Sequence, residues 1–199
     1  MLFLFEMIGT VAFAVSGALV AVKKKMDLFG VAALGMTTAV GGGIVRDLIL
    51  GVTPPMAFRE PVYALTSIAV SVVMFFPAVR RRISSGNSLL LLMDSLGLGV
   101  FTAVGVQAGM QTGRFFLSVF VGMLTGVGGG VLRDVFAGEQ PAIFVRHFYA
   151  CASIIGAVVC ALLWGKGEIL SMLAGSIVTV ILRLLAAHYE WSLPKAREV

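Results

Sequence analysis

The chain contains seven continuously apolar runs, each about as long as the hydrocarbon core of a bilayer is thick. A core of about 30 Å needs about 20 helical residues. The runs lie near residues 2–22, 28–50, 61–79, 88–108, 114–137, 142–163 and 168–187. Only 13% of the residues are charged, whereas an average soluble domain has about 25%. The sequence therefore predicts an all-α membrane protein with seven transmembrane helices.

The net charge of +5 comes from basic residues between the apolar runs, and it does not form the basic face that binds nucleic acid. One side of the predicted membrane has two basic triplets and a basic tail, namely Lys23–Lys25, Arg80–Arg82, Lys195 and Arg197. The other side has three separate basic residues, namely Arg59, Arg114 and Lys166. Because cytoplasmic loops carry the excess of Lys and Arg, the N-terminus is expected outside the cell and the C-terminus in the cytoplasm.

A repeat relates the two halves of the chain. Residues 35–59, GMTTAVGGGIVRDLILGVTPPMAFR, align without gaps on residues 122–146, GMLTGVGGGVLRDVFAGEQPAIFVR, with 12 of the 25 pairs identical. A shift of one residue extends the alignment upstream, so that Glu6 aligns with Asp94. The chain is thus predicted to contain two copies of one structural unit.

The repeat divides the chain into three parts. Residues 1–87 form a first three-helix copy, residues 88–165 form a second, and residues 166–199 form a seventh helix with a cytoplasmic tail. Because three spans are an odd number, the second copy must enter the membrane from the opposite face. Such inverted repeats bring matching elements together near the midplane, where they form pathways for small solutes or ions. Here the matching elements are predicted helices 2 and 5.

Each copy has a glycine triplet in the middle of its second span. The six residues are Gly41, Gly42, Gly43, Gly128, Gly129 and Gly130. A glycine costs about 1 kcal/mol relative to alanine in a helix interior, so the triplets predict that helices 2 and 5 are broken there. The freed backbone groups would have to line a cavity or meet protein partners. The alternative is close packing of intact helices, for which membrane proteins use glycine widely.

An Arg-Asp pair follows each triplet, at Arg46-Asp47 and at Arg133-Asp134. Charges within a span usually face the bundle interior or water. Neighbours in sequence do not face each other on a helix, so each arginine is expected to pair with another residue. The alternative places these charges near the span ends, with side chains that reach the headgroups. Recurrence in both copies favours a pore charge or a gate beside the pathway.

Glu6 and Asp94 open helices 1 and 4 at equivalent positions. A carboxylate at each mouth of a pathway would concentrate cations, which makes both residues candidates for the pore mouths. The alternative is an interfacial acid that the helix dipole favours in the first turn. The sequence pairs no nucleophile with a base and contains no phosphate loop or HExxH motif. We therefore expect no enzyme activity, no cofactor and no metal site.

With its motifs GGGIVRD and GGGVLRD, the seven-helix chain resembles the prokaryotic branch of the trimeric intracellular cation (TRIC) channel family along its whole length. The resemblance implies a homotrimer in which each subunit has its own pore around helices 2 and 5. It also implies permeation of monovalent cations, mainly potassium, in a prokaryotic cell membrane whose lipids surround the protein. The residues alone leave open a secondary transporter of a small solute such as glycine, because channels and transporters share such folds.

Overall fold

The computed structural model describes residues 2–83, 86–145 and 148–191. Within these ranges the chain forms ten α-helices and no strand, with a 3-10 turn at Trp164–Lys166. In chain order the helices are α1 (Leu2–Lys23), α2 (Leu28–Ile49), α3 (Met56–Arg59), α4 (Pro61–Phe75), α5 (Pro77–Ile83), α6 (Gly86–Met110), α7 (Phe115–Phe136), α8 (Ala142–Val145), α9 (Tyr149–Leu163) and α10 (Glu168–His188). The basic tail residues Lys195 and Arg197 lie outside the described residues.

Six of the helices in the described part are long and apolar enough to cross a membrane, namely α1, α2, α6, α7, α9 with the following turn, and α10. The predicted span at 61–79 instead forms α4, which has 15 residues. At 1.5 Å per residue such a helix is about 22 Å long. Phe76 is extended, with φ −76° and ψ 124°, because Pro77 disfavours the helical conformation of the residue before it. Helix α5 then continues the apolar segment in a new direction.

The predicted sixth span began at residue 142, whereas α9 begins at Tyr149. Residues before it form the single turn α8, from Ala142 to Val145. Phe148 then adopts the left-handed conformation, with φ 50°. A non-glycine residue in that conformation cannot continue a right-handed helix, so α8 and α9 are separate.

Both glycine triplets lie inside continuous helices, α2 and α7, so the predicted helix breaks are wrong. The reason is the close crossing of these two helices. A Cβ atom on Gly42 would collide with the carbonyl oxygen of Thr125, and one on Gly129 would collide with the carbonyl oxygen of Thr38. Contact between the two backbones offsets the low helix propensity of glycine, as in other small-residue crossings in membranes.

The four helices that carry the repeat motifs form the centre of the fold. Within the first copy, Gly17 of α1 lies against Gly35 of α2. Within the second copy, the equivalent Gly105 of α6 lies against Gly122 of α7. Between the copies, α1 packs on α6 and α2 packs on α7. Helix α4 covers α1 and α2, whereas α9 covers α6 and α7 and α10 covers α6 and α9.

Replacing Gly42 with alanine should destabilise the protein, because the new methyl group would overlap the Thr125 carbonyl. Overpacking of this kind costs about 1–3 kcal/mol. Gly43→Ala is the matched control, since a Cβ there would have only an Arg46 nitrogen as a neighbour, at 4.0 Å. Thermal unfolding in detergent, followed by circular dichroism, should give a lower midpoint for G42A than for G43A. Equal midpoints would contradict the packing role of the triplet.

Candidate functional site

A cavity with charged side chains on its largely apolar wall enters the helix bundle from the end where α1 begins. Its outer part, the vestibule, has a volume of about 360 Å³ and is lined by residues such as Leu2, Val52 and Thr112. Its inner part, the inner cavity, has a volume of about 40 Å³, which is enough for a few water molecules. Glu6, Arg46 and Asp47 line both parts. Two acidic residues and one basic residue thus face the same water-accessible space.

An aromatic pair lies below the inner cavity. Phe101 lines the cavity, and its ring packs on that of Phe13 with 5.3 Å between the centroids. These phenylalanines occupy equivalent positions in the two copies. Along α1, Phe13 lies between Thr10, which lines the inner cavity, and Ser16, which contacts the polar cluster of the second copy. The aromatic pair therefore separates the inner cavity from that cluster.

In the first copy, Arg46 and Asp47 bind each other. The Nε of Arg46 donates a hydrogen bond of 2.8 Å to Oδ1 of Asp47, and the backbone N–H of Met56 donates one of 2.7 Å to Oδ2. The expectation that adjacent residues do not pair is wrong here, because the long arginine side chain folds back along the helix. Arg46 is 7% exposed and Asp47 is 4% exposed. Both face the interior of the protein, as charges within a span usually do.

The second copy repeats this arrangement and adds two contacts. Arg133 Nε donates to Oδ1 of Asp134 at 2.9 Å, and the backbone N–H of Ala142 donates to Oδ2 at 2.9 Å. In addition, Nη1 of Arg133 donates to Oδ1 of Asp94 and to Oγ of Ser16, each at 2.5 Å. Arg133 thus meets the expectation of a partner elsewhere in the fold. Its positive charge is compensated by two carboxylates, as a buried ion requires.

The structure buries Asp94, the residue predicted to lie at the second pore mouth. Asp94 lies well inside α6 and is only 5% exposed, because its carboxylate pairs with Arg133. Glu6, the equivalent acid, lies near the start of α1 and lines the vestibule. The hydroxyl of Tyr63 donates a hydrogen bond to Oε2 of Glu6. Among the described residues no ion pair joins Glu6 to Arg46, so the equivalent acids of the two copies have different partners.

At the end of the molecule opposite the vestibule, an ion pair joins the two copies. Lys24 Nζ lies 3.1 Å from Glu139 Oε1, which joins the turn after α1 to the segment after α7. The alignment makes Thr112 equivalent to Lys24 and Val52 equivalent to Glu139. Thr112 and Val52 instead line the open vestibule. An exposed ion pair contributes only about 0–1 kcal/mol, but the equivalent positions at the vestibule end offer no charged side chains for such a pair.

Sequence reasoning did not select four residues that take part in these contacts, namely Ser16, Tyr63, Tyr149 and Arg183. Arg183 of α10 is 5% exposed, and its guanidinium carbon lies 4.9 Å from the centroid of the Tyr149 ring. Arg183 is the one charge inside the last apolar run after Glu168 at its start, and this was a signal because such charges are costly in a membrane. Each tyrosine is near the start of the third helix of its copy, which was a weaker signal.

Six apolar helices around charged residues and a cavity define a polytopic membrane protein with an internal aqueous space. The family model described as glycine transporter matches residues 3–78 and 91–165. The chain therefore belongs to that family, and solved structures of prokaryotic TRIC channels share its fold, as the paired motifs indicated.

Three similar proteins illustrate the relationship. A UPF0126 membrane protein of Vibrio cholerae is 38% identical over 98% of this chain and 82% of its own length. A structure from a study of conductance through TRIC cation channels is 39% identical, with a TM-score of 0.88 over 98% of this chain and 97% of its own. The crystal structure of the TRIC orthologue from Rhodobacter sphaeroides is 35% identical, with a TM-score of 0.88 over 96% and 98%.

Removing the charge of Arg133 should destabilise the protein more than removing that of Arg46. Arg133→Gln leaves the carboxylate of Asp94 buried without its cation, and breaking a buried ion pair in this way costs about 3–5 kcal/mol. Arg46→Gln is the matched control, because the cavity admits water to its partner Asp47. Thermal unfolding in detergent should show the larger loss for R133Q. A larger loss for R46Q would contradict the assigned role of the Asp94 contact.

Proposed function

We propose that the protein is a channel for monovalent cations, mainly potassium. The observation that carries the proposal is a cavity that reaches Gly43, next to the crossing glycine Gly42, and has Glu6 on its wall. Relatives that cover nearly the whole chain are structures of TRIC cation channels. The similar proteins are described as a membrane protein and as channels, which also favours a function other than an enzyme.

The path that we propose begins at the vestibule and passes the inner cavity, the aromatic pair and the Arg133 cluster. Gly42 and Gly129 let α2 and α7 approach closely along this path, and Gly43 lines the inner cavity. Glu6 concentrates cations at the vestibule, because a carboxylate attracts them. Asp47 and Asp134 offset the positive charge of the arginines that follow the triplets. The arginines act as a barrier or gate and not as cation ligands.

The topology that we propose has seven spans, with α4 and α5 together forming the third. Residues 1–87 and 88–165 are then inverted three-helix copies, and 166–199 is the seventh helix with its tail. The contact of two equivalent residues, Phe13 and Phe101, supports a two-fold relation between the copies, because equivalent residues meet at such an axis. The two segments that the family model matches, 3–78 and 91–165, agree with this division.

In the membrane, the proposed assembly is a homotrimer with one pore in each subunit. The Rhodobacter sphaeroides relative is described as an orthologue of trimeric channels, which supports this assembly. The polypeptide is a multi-pass membrane protein, and the proposed orientation has the N-terminus outside a prokaryotic cell membrane and the C-terminus in the cytoplasm. Lys23–Lys25 then lie on the cytoplasmic side, where basic residues also attract anionic lipids.

A second candidate function is transport of a small solute such as glycine. The inner cavity favours it because Arg46 and Glu6 offer opposite charges, which suit the carboxylate and the ammonium group of an amino acid. The description of the family model agrees with this candidate. Saturable uptake of glycine into proteoliposomes, without ionic current in planar bilayers, would favour the transporter over the channel.

Glu6→Gln should lower the ratio of cation to anion permeability, because the variant removes the negative charge that faces the vestibule. Reversal potentials of the purified protein in planar bilayers with a KCl gradient measure this ratio. Glu139→Gln is the matched control, since Glu139 is paired with Lys24 at the opposite end and should change the ratio less. A reversal potential of the unmodified protein that follows chloride would refute the cation channel.

Cysteines at two equivalent positions should report opposite sides of the membrane. Thr112→Cys, after Cys151 and Cys160 are replaced by alanine, should react with an impermeant maleimide added to intact cells. Lys24→Cys in the same background should react only after the cells are disrupted. Seven spans place these positions on opposite sides, whereas six spans, with α4 not crossing, place them on the same side. Reaction of both from outside would reject the inverted repeat.

A further inference from the structure

Each copy contains an acid, an arginine and a tyrosine, and the two copies pair them differently. In the first copy Glu6 accepts a hydrogen bond from the hydroxyl of Tyr63. In the second copy the equivalent Asp94 accepts a hydrogen bond of 2.5 Å from Arg133. Arg133 is the equivalent of Arg46, which lines the cavity. The acid therefore binds tyrosine in one copy and arginine in the other.

The tyrosine of the second copy fills the space that is open in the first. The hydroxyl of Tyr149 has no hydrogen-bond partner among the described residues. It lies 2.8 Å from the position that a Cβ atom on Gly130 would occupy. Gly43, the equivalent of Gly130, instead lines the inner cavity. The two copies thus show an open arrangement with tyrosine bound to the acid, and a closed arrangement with tyrosine packed against the third glycine.

We propose that Tyr63 is a positioning residue that keeps the vestibule end open by holding Glu6 away from Arg46. The inference rests on the proposed pore. Two hydrogen-bond donors, Tyr63 and Arg46, line the same inner cavity as Glu6. When Tyr63 releases Glu6, the carboxylate pairs with Arg46 as Asp94 pairs with Arg133. The Tyr63 ring then moves towards Gly43 and occupies the inner cavity.

One sequence difference explains why the hydroxyl group of Tyr63 alone is enough to hold Glu6 away from Arg46. Arg133 has an additional acceptor, Oγ of Ser16, at 2.5 Å. The residue equivalent to Ser16 in the other copy is Val104, which offers no side-chain acceptor. The closed arrangement around Arg46 therefore has one hydrogen bond fewer than the closed arrangement around Arg133. The hydrogen bond from Tyr63 to Glu6 therefore competes with a weaker pairing of Glu6 with Arg46, and it keeps the first copy open.

The test measures how fast a thiol in the inner cavity reacts in Tyr63→Phe. Thr10→Cys places the thiol on the cavity wall, in a background with Cys151→Ala and Cys160→Ala. Silver nitrate supplies a monovalent cation that reacts with thiols, and a fluorescent maleimide then counts the thiols that remain after denaturation. Loss of a hydrogen bond to a charged group changes an equilibrium by about tenfold or more, so Tyr63→Phe should slow the reaction by about that factor. An unchanged rate would overturn the proposal.

Three further variants separate this role from a general structural effect. Tyr63→Phe combined with Glu6→Gln should react as fast as the parent, because no carboxylate remains to pair with Arg46. A double variant as slow as Tyr63→Phe would overturn the proposal. Thr112→Cys at the vestibule rim should react equally fast with and without Tyr63→Phe, and Tyr149→Phe should leave the rate at position 10 unchanged. A slower reaction in either control would also overturn it.

The measurement does not depend on ionic current. If the protein does not conduct cations, the proposed function fails while the silver reaction still reports whether Tyr63 holds the cavity open. If conduction is found and Tyr63→Phe leaves the silver reaction unchanged, the role of Tyr63 fails while the channel stands.

Discussion

At the centre of the molecule the backbones of α2 and α7 touch, because Gly42 and Gly129 have no side chains to separate them. The placement of the two arginines that follow the triplets depends on this contact. Arg46 and Arg133 each lie about one helical turn after a triplet. The crossing of α2 and α7 therefore places both arginines in the interior of the bundle. One arginine faces the inner cavity and the other lies in the closed cluster with Asp94. A larger residue at the crossing would move both.

Much of the fold follows from the length of the apolar runs, since a bilayer demands helices of a certain length. The boundaries that differ have local causes. Pro77 ends α4 early, and the left-handed Phe148 delays the start of α9. The helix breaks predicted at the triplets were wrong for another reason. The prediction considered the low helix propensity of glycine without the helix that packs against it. Gly42 is helical because α7 packs directly on it, and a sequence does not show which helix will be adjacent.

The sequence singled out the charged residues that recur in both copies, but not the partners that they bind. An alignment of the two copies shows that Glu6 corresponds to Asp94, yet it cannot show that one binds tyrosine and the other arginine. Such choices depend on side-chain rotamers and on single differences, such as the serine at position 16. Arg183 was detectable as a charge in an apolar run, whereas its stacking on Tyr149 required the packing of α10 beside α9.

The ion pair between Lys24 and Glu139 has no counterpart at Thr112 and Val52. If two separate, identical copies assembled antiparallel about a two-fold axis, both ends of the molecule would carry the same residues, and any change at one end would appear at the other. Joining the copies in a single polypeptide removes that restriction. Point substitutions can then change the residues at one end without changing those at the other. A protein built from a duplicated unit can therefore present a different surface to each side of the membrane.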